Sequence, residues 1–290
     1  MRILYATDGS EGSLAAGRFM TGLPFDANTH VHIITVLAED SRESGSIALE
    51  AARRSLGEFP GRVTTATGRG ENTSEIVETL LWTANYLGAD MIVVGARGRS
   101  AMARFFLGSV AEGLARHATI PVLLARAGGL PLREVIFGID GSPDSHNAAH
   151  WAVSSFPIPD NCLLRLVRAV TPPVWLAYPD AMFAGAYDRT LDELALSERQ
   201  TAKKALEALR TELKASERTI SIETRGGNPA TELLSAVERT KAGLLVVGSR
   251  GLTGVSRFLL GSVSSNVIHH AHCSVLLVRP PDSPDPEVIK

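Results

Sequence analysis

The chain has 290 residues, a formal net charge of −2, 44% hydrophobic residues and 21% charged ones. That balance suits a globular protein of about two domains at the usual ~100–200 residues each. It gives no basic face for nucleic acid and no polybasic membrane signal, and the sparse cysteines, Cys162 and Cys273, fit a reducing compartment and read as small buried hydrophobes.

The N-terminal stretch Met1-Arg-Ile-Leu-Tyr-Ala-Thr-Asp8 lacks the apolar core of a signal peptide, and no run approaches the ~20 apolar residues of a membrane span. The expectation is a soluble, cytoplasmic protein. The first strand reads Ile3 to Thr7, closed by Asp8-Gly9-Ser10, with Ser10 placed to cap a helix. A second strand follows at His30 to Leu37, a helix at Ser46 to Phe59, a third strand at Arg62 to Thr67 and a helix at Thr73 to Leu87. In that last helix Ile76, Val77, Leu80 and Leu81 share one face. Met91 to Val94 is a fourth strand, Ser109 to Ala118 a helix and Val122 to Ala125 a fifth strand. Alternating strands and helices, with several strands continuously apolar, predict an α/β protein whose parallel sheet is covered on both faces.

After Gly128-Gly-Leu-Pro131 the pattern restarts. Val135 to Ile139 with Asp140-Gly-Ser142 repeats the first strand and its turn, and Pro143 is a good first helical residue. Leu163 to Val170, Thr219 to Glu223, Leu244 to Val247 and Val275 to Val278 repeat strands two to five. The chain reads as a tandem duplication, with domains at 1–127 and 132–280, a linker at 128–131 and a disordered tail at 281–290. The halves differ most at Thr171 to Thr190, which holds Trp175, Tyr178, Met182, Phe183 and Tyr187. That segment reads as either a lid over the second nucleotide or a subunit contact, with the contact favoured because exposed apolar clusters usually mark interfaces. A long helix follows it, with Ala202, Ala205, Leu206, Leu209 and Leu213 on one face.

Each fourth strand opens into the same motif. In the first half it is Gly95-Ala-Arg-Gly98, nine residues, Gly108-Ser109; in the second it is Gly248-Ser-Arg-Gly251, nine residues, Gly261-Ser262. Glycines let the backbone approach an anion, and the free N–H groups and positive dipole end of a helix start can hold it. Asp8 and the Gly95 loop both fall at carboxyl ends of strands, where ligands of such sheets bind.

These residues resemble the universal stress proteins in their tandem form. The resemblance rests on Gly-x-x-Gly-(nine)-Gly-Ser in both halves and on the repeated Asp-Gly-Ser turn. It implies two repeated open five-stranded parallel sheets of order 3-2-1-4-5, a Rossmann-like nucleotide-binding fold, and one ATP per half with Mg2+. Carried over, Thr7, Asp8, Ile139 and Asp140 would lie near the adenosine. The backbone at Val36 and Val170 would meet adenine, and Gly95 and Gly248 would lie near the ribose. Gly98, Gly108, Ser109 and Val110 would hold the triphosphate in the first half, and Gly251, Gly261, Ser262 and Val263 in the second. Gly254 is replaced by Ala101 in the first loop and Ser264 by Ala111, which favours the second site slightly.

Simpler roles compete at several positions. Ser109-Val-Ala-Glu112 is also a capping box. Asp8 and Asp140 are also good turn residues. Arg97, Arg104, Arg250 and Arg257 suit either phosphate or a solvated surface. His269, His270 and His272 read as a basic group at a helix C-terminus rather than a metal site.

The expected role is an ATP-binding stress-response regulator with slow or no hydrolysis, acting through an unidentified protein partner or through assembly. The fifth strands would pair within the chain as a pseudo-dimer, and a homodimer is left open. The alternatives are a duplicated scaffold without a nucleotide role and a slow ATPase. No Walker A motif, kinase loop or Gly-x-Gly-x-x-Gly first turn is present, and no metal ligand or catalytic residue is assigned.

Overall fold

The computed structural model describes residues 1–38, 42–98, 107–128, 131–171, 184–213, 218–251 and 260–279, with the side chains of residues 42 and 184–194 left aside. The first half runs β1 (Arg2–Ala6), α1 (Glu11–Thr21), β2 (His30–Leu37), α2 (Arg42–Ser55), β3 (Arg62–Arg69), α3 (Thr73–Leu87), β4 (Met91–Gly95), α4 (Ser109–His117) and β5 (Val122–Ala125). The second runs β6 (Glu134–Gly138), α5 (Pro143–Ser155), β7 (Leu163–Val170), α6 (Ala184–Leu213), β8 (Ile220–Gly226), α7 (Pro229–Thr240), β9 (Leu244–Gly248), α8 (Ser262–His270) and β10 (Ser274–Val278).

Each half has the expected order, but the two sheets are one. The order is β3-β2-β1-β4-β5-β10-β9-β6-β7-β8. Strands are parallel within each half, and β5 pairs antiparallel with β10, with Leu124 opposite Val275, Leu123 opposite Leu276 and Val122 opposite Leu277. The reason is the edge each half would otherwise expose. β5 and β10 are apolar on both faces, and an unpaired apolar edge carries a row of unmet N–H and C=O groups. Pairing them meets both needs at once.

One apolar cluster lies on each face of the sheet and runs through both halves. Side chains from α3, α4, α7 and α8 build one, including Leu80, Leu114, Leu233 and Val267. Side chains from α1, α2, α5 and α6 build the other, including Met20, Ala52, Ala149 and Leu206. The stripe read on the long helix is the packed one: Ala202, Leu206, Leu209 and Leu213 are all buried. Helix α2 starts and ends four residues earlier than the sequence pattern suggests, and its end is set by Gly57, which takes φ 55° and stops it. Both cysteines are buried, and burial pushes the Cys162 thiol up to about 11 and the Cys273 thiol up to about 12. The aromatic segment 172–183, the side chain of Tyr187 and the tail 281–290 lie outside the described residues. No described helix is long and apolar enough to cross a membrane.

Leu276 is fully buried in the seam between the halves. Leu276→Ala is expected to lower the unfolding free energy by about 2–5 kcal/mol. Urea denaturation should show this as one shifted transition rather than the loss of one half.

Candidate functional site

The same turn follows the first strand of each half. Gly9 and Gly141 adopt φ 75° and 89°, values that a side chain would oppose. Asp8 Oδ1 accepts from the Ser10 N–H at 3.0 Å and the Ser10 hydroxyl at 2.6 Å. Asp140 Oδ1 accepts from the Ser142 N–H at 2.8 Å and its hydroxyl at 2.6 Å. Ser10 and Ser142 then cap α1 and α5, each accepting from an N–H three residues on at 3.2 Å. The turn role expected of each aspartate therefore occupies Oδ1. Oδ2 points the other way: a Cβ added at Gly98 would stand 2.8 Å from Asp8 Oδ2, and one at Gly251 would stand 2.6 Å from Asp140 Oδ2. The structure brings turn and glycine loop together in both halves.

Gly95 and Gly248 are required by packing. A Cβ at Gly95 would lie 2.3 Å from the carbonyl oxygen of Gly12, and one at Gly248 would lie 3.0 Å from that of Asp144. The first turn of α1 or α5 thus rests on the end of the fourth strand. The Gly108 N–H donates to Ala96 O and the Gly261 N–H to Ser249 O, both at 2.8 Å, folding the loop back on itself before the helix begins.

Gly108 and Gly261 are the N-caps of α4 and α8, so Ser109 and Ser262 are first helical residues. The capping box expected at Ser109 does not form. Glu112 instead meets Arg116 at 2.8 Å, and the Ser109 hydroxyl lies 3.3 Å from Thr73 Oγ1. The first backbone bonds of the two helices run from Glu112 and Ser265 to Gly108 and Gly261. The N–H groups of Ser109 and Val110, and of Ser262 and Val263, precede that ladder and remain suited to an anion.

In the second half these groups line a cleft of ≈ 560 Å³ that includes Ile139, Asp140, Gly251, Gly261, Ser262 and Val263. Val170 lines it as well, beside Ala169. The register shows that Val36 and Val170 are not equivalent: Gly70 N–H bonds Leu37 O as Gly227 N–H bonds Val170 O, so Val36 corresponds to Ala169. Thr7 is buried, its hydroxyl 3.0 Å from Ser13 Oγ and accepting from the Gly9 N–H. It therefore supports the turn. Ser264 donates to Gly248 O at 2.6 Å, so its replacement by Ala111 changes a loop anchor rather than a ligand donor.

Sequence reasoning missed the cover and one cation. Ser197, Glu198 and Thr201 of α6 line the cleft. So does Arg168, whose guanidinium lies over the Asp140 turn, 3.0 Å from where a Gly141 Cβ would stand. Its signal was being one of two arginines, with Arg165, in a strand whose other residues are apolar. Arg250 also lines the cleft and is paired with Asp144 at 3.0 Å. Ala101, Arg104, Gly254 and Arg257 lie outside the described residues. His269 and His270 occupy the last turn of α8. No group of three His, Cys, Asp or Glu among the described residues could hold a metal.

Adding one methyl group to Gly95 should test the helix contact. Gly95→Ala is expected to cost about 1–3 kcal/mol by chemical denaturation, because backbone rather than a mobile side chain blocks it.

Comparison with known proteins points to one family. The model of the universal stress protein family matches residues 1–126 and 131–279. A universal stress protein of Mycolicibacterium smegmatis is 31% identical over 256 residues, covering 86% of this chain and 81% of the relative. One from Mycobacterium tuberculosis is 28% identical over 276 residues, covering 92% and 80%. The crystal structure of a universal stress protein from Archaeoglobus fulgidus superposes with a TM-score of 0.64 at 19% identity, covering 96% of this chain and 98% of that one, a likeness of fold.

Proposed function

The chain belongs to the universal stress protein family, and on that footing we propose that it binds ATP, one molecule in each half, and acts as a regulator through a protein partner or its assembly state. The observation that carries this reading is the second-half cleft, where Asp140, the Gly251 and Gly261 turns and the first N–H groups of α8 converge. Its ≈ 560 Å³ falls in the roughly 300–1,000 Å³ range of small-molecule sites.

The chemistry follows from the groups present. The triphosphate meets the N–H groups of Ser262 and Val263 and the Ser262 hydroxyl, with Gly251 and Gly261 allowing close approach. Asp140, Ile139, Ala169 and Val170 border the adenosine, and Gly248 sets the floor beneath the ribose. In the first half Gly98, Gly108, Ser109 and Val110 serve the phosphates, with Thr7, Asp8, Val36 and Gly95 at the nucleoside end. Mg2+ would be held by phosphate oxygens and water, because it keeps several waters and needs few protein ligands. None of these groups pairs a nucleophile with a base, which favours binding over turnover. The two matched segments support one binding domain per half, 1–127 and 132–280.

Isothermal titration with MgATP tests the reading. A stoichiometry near two is expected, with Ser262→Ala weakening one of the sites by about tenfold through loss of a hydrogen bond to a charged group. No binding with or without Mg2+ would leave a duplicated scaffold. Steady turnover faster than about 1 per second would make the protein an enzyme.

A further inference from the structure

The antiparallel seam turns the carboxyl ends of the two half-sheets in opposite directions, so the two sets of site residues lie on opposite rims. Helices α4 and α8, each nine residues and about 13 Å long, start at their own rim and end near the other. Two arginines meet those ends. Arg126, directly after β5, donates to Ile268 O at 2.7 Å and His269 O at 3.1 Å, the last carbonyls of α8. Arg279, directly after β10, donates to Ala115 O at 2.7 Å and Arg116 O at 2.6 Å, the last carbonyls of α4. The arrangement is reciprocal: the arginine of each half holds the helix of the other.

Each arginine is also tied to the glycine loop of its own half. The Ala96 N–H bonds Ala125 O at 2.7 Å, one residue before Arg126, and the Ser249 N–H bonds Val278 O at 3.0 Å, one residue before Arg279. Arg126 is 8% exposed, and its backbone N–H donates to Ser274 Oγ at 3.3 Å across the seam. Burial, and then the nearby Arg97 of the first glycine loop, bring its guanidinium down to about 10. A buried cation on helix-end carbonyls satisfies orphan acceptors and complements the dipole of that helix.

We propose that Arg126 and Arg279 are positioning residues that set the anion-binding helix of the opposite half, so that each nucleotide site is completed across the seam. The nucleotide part rests on the function proposed above; the crossed anchoring does not. Loss of Arg279 loosens α4 and weakens the first-half site, and loss of Arg126 loosens α8 and weakens the second.

Two measurements on the full chain test this. Hydrogen exchange on ligand-free protein is expected to show faster exchange in α4 alone for Arg279→Met and in α8 alone for Arg126→Met. ATP titration then uses Gly251→Val to leave only the first site and Gly98→Val to leave only the second. In these backgrounds Arg279→Met should weaken the first site by about three- to tenfold and leave the second within about twofold, and Arg126→Met should do the reverse. Arg279→Lys and Arg126→Lys, which keep one cation, should recover part of each loss. Equal loosening of both helices, an effect confined to the arginine's own half, or no change in exchange would overturn the proposal. If the unsubstituted chain takes up no ATP, the nucleotide reading fails, and exchange alone decides the anchoring.

Discussion

The structure depends on the pairing of two short apolar strands, β5 and β10. Neither half could leave such a strand at an edge without exposing main-chain groups and leucines to water. Joined antiparallel, they are almost completely buried, and the apolar layers on both faces of the sheet continue from one half into the other. The direction of that pairing also fixes where everything else goes. It sends the loops of the two halves to opposite rims and lays α4 and α8 so that each ends beside the other's strands.

Within each half, a few glycines serve both packing and ligand approach. Gly95 and Gly248 bring the first turn of a helix against the end of a strand, and the turn that starts that helix holds an aspartate against Gly98 or Gly251. The result is a rigid floor of main-chain groups before any ligand enters. Preorganisation of this kind lowers the ordering cost of binding, and a side chain added at these glycines would meet main chain or the aspartate.

Much of this was legible in the chain. The repeat, the bounds of β2, α3, β5 and β7, and the Asp-Gly-Ser turns follow from local periodicity and turn chemistry, which act over a few residues. The one-residue offset between Val36 and Val170 was legible as well, since the two strands have equal length and His30 to Leu37 set against Leu163 to Val170 pairs Val36 with Ala169; the ladder makes the same pairing explicit. Two features, the true cap of α4 and the contacts of two arginines, were not. The Ser109 capping pattern is real in sequence, but the loop folds back through Gly108 and makes glycine the cap. The contacts of Arg126 and Arg279 join a side chain to main-chain carbonyls more than 140 positions away. Carbonyls carry no sequence signature, so only the fold could reveal them.

The seam has a consequence for modularity. A duplicated chain invites the view that either copy could be cut out, swapped or fused elsewhere as a self-sufficient part. Here a single copy would keep its glycine loop and its Asp-Gly-Ser turn, yet it would lose the arginine beneath its last helix and gain a bare apolar edge. A half moved alone would need a new partner for that edge, and within this chain each half diverges beside a neighbour that holds its last helix.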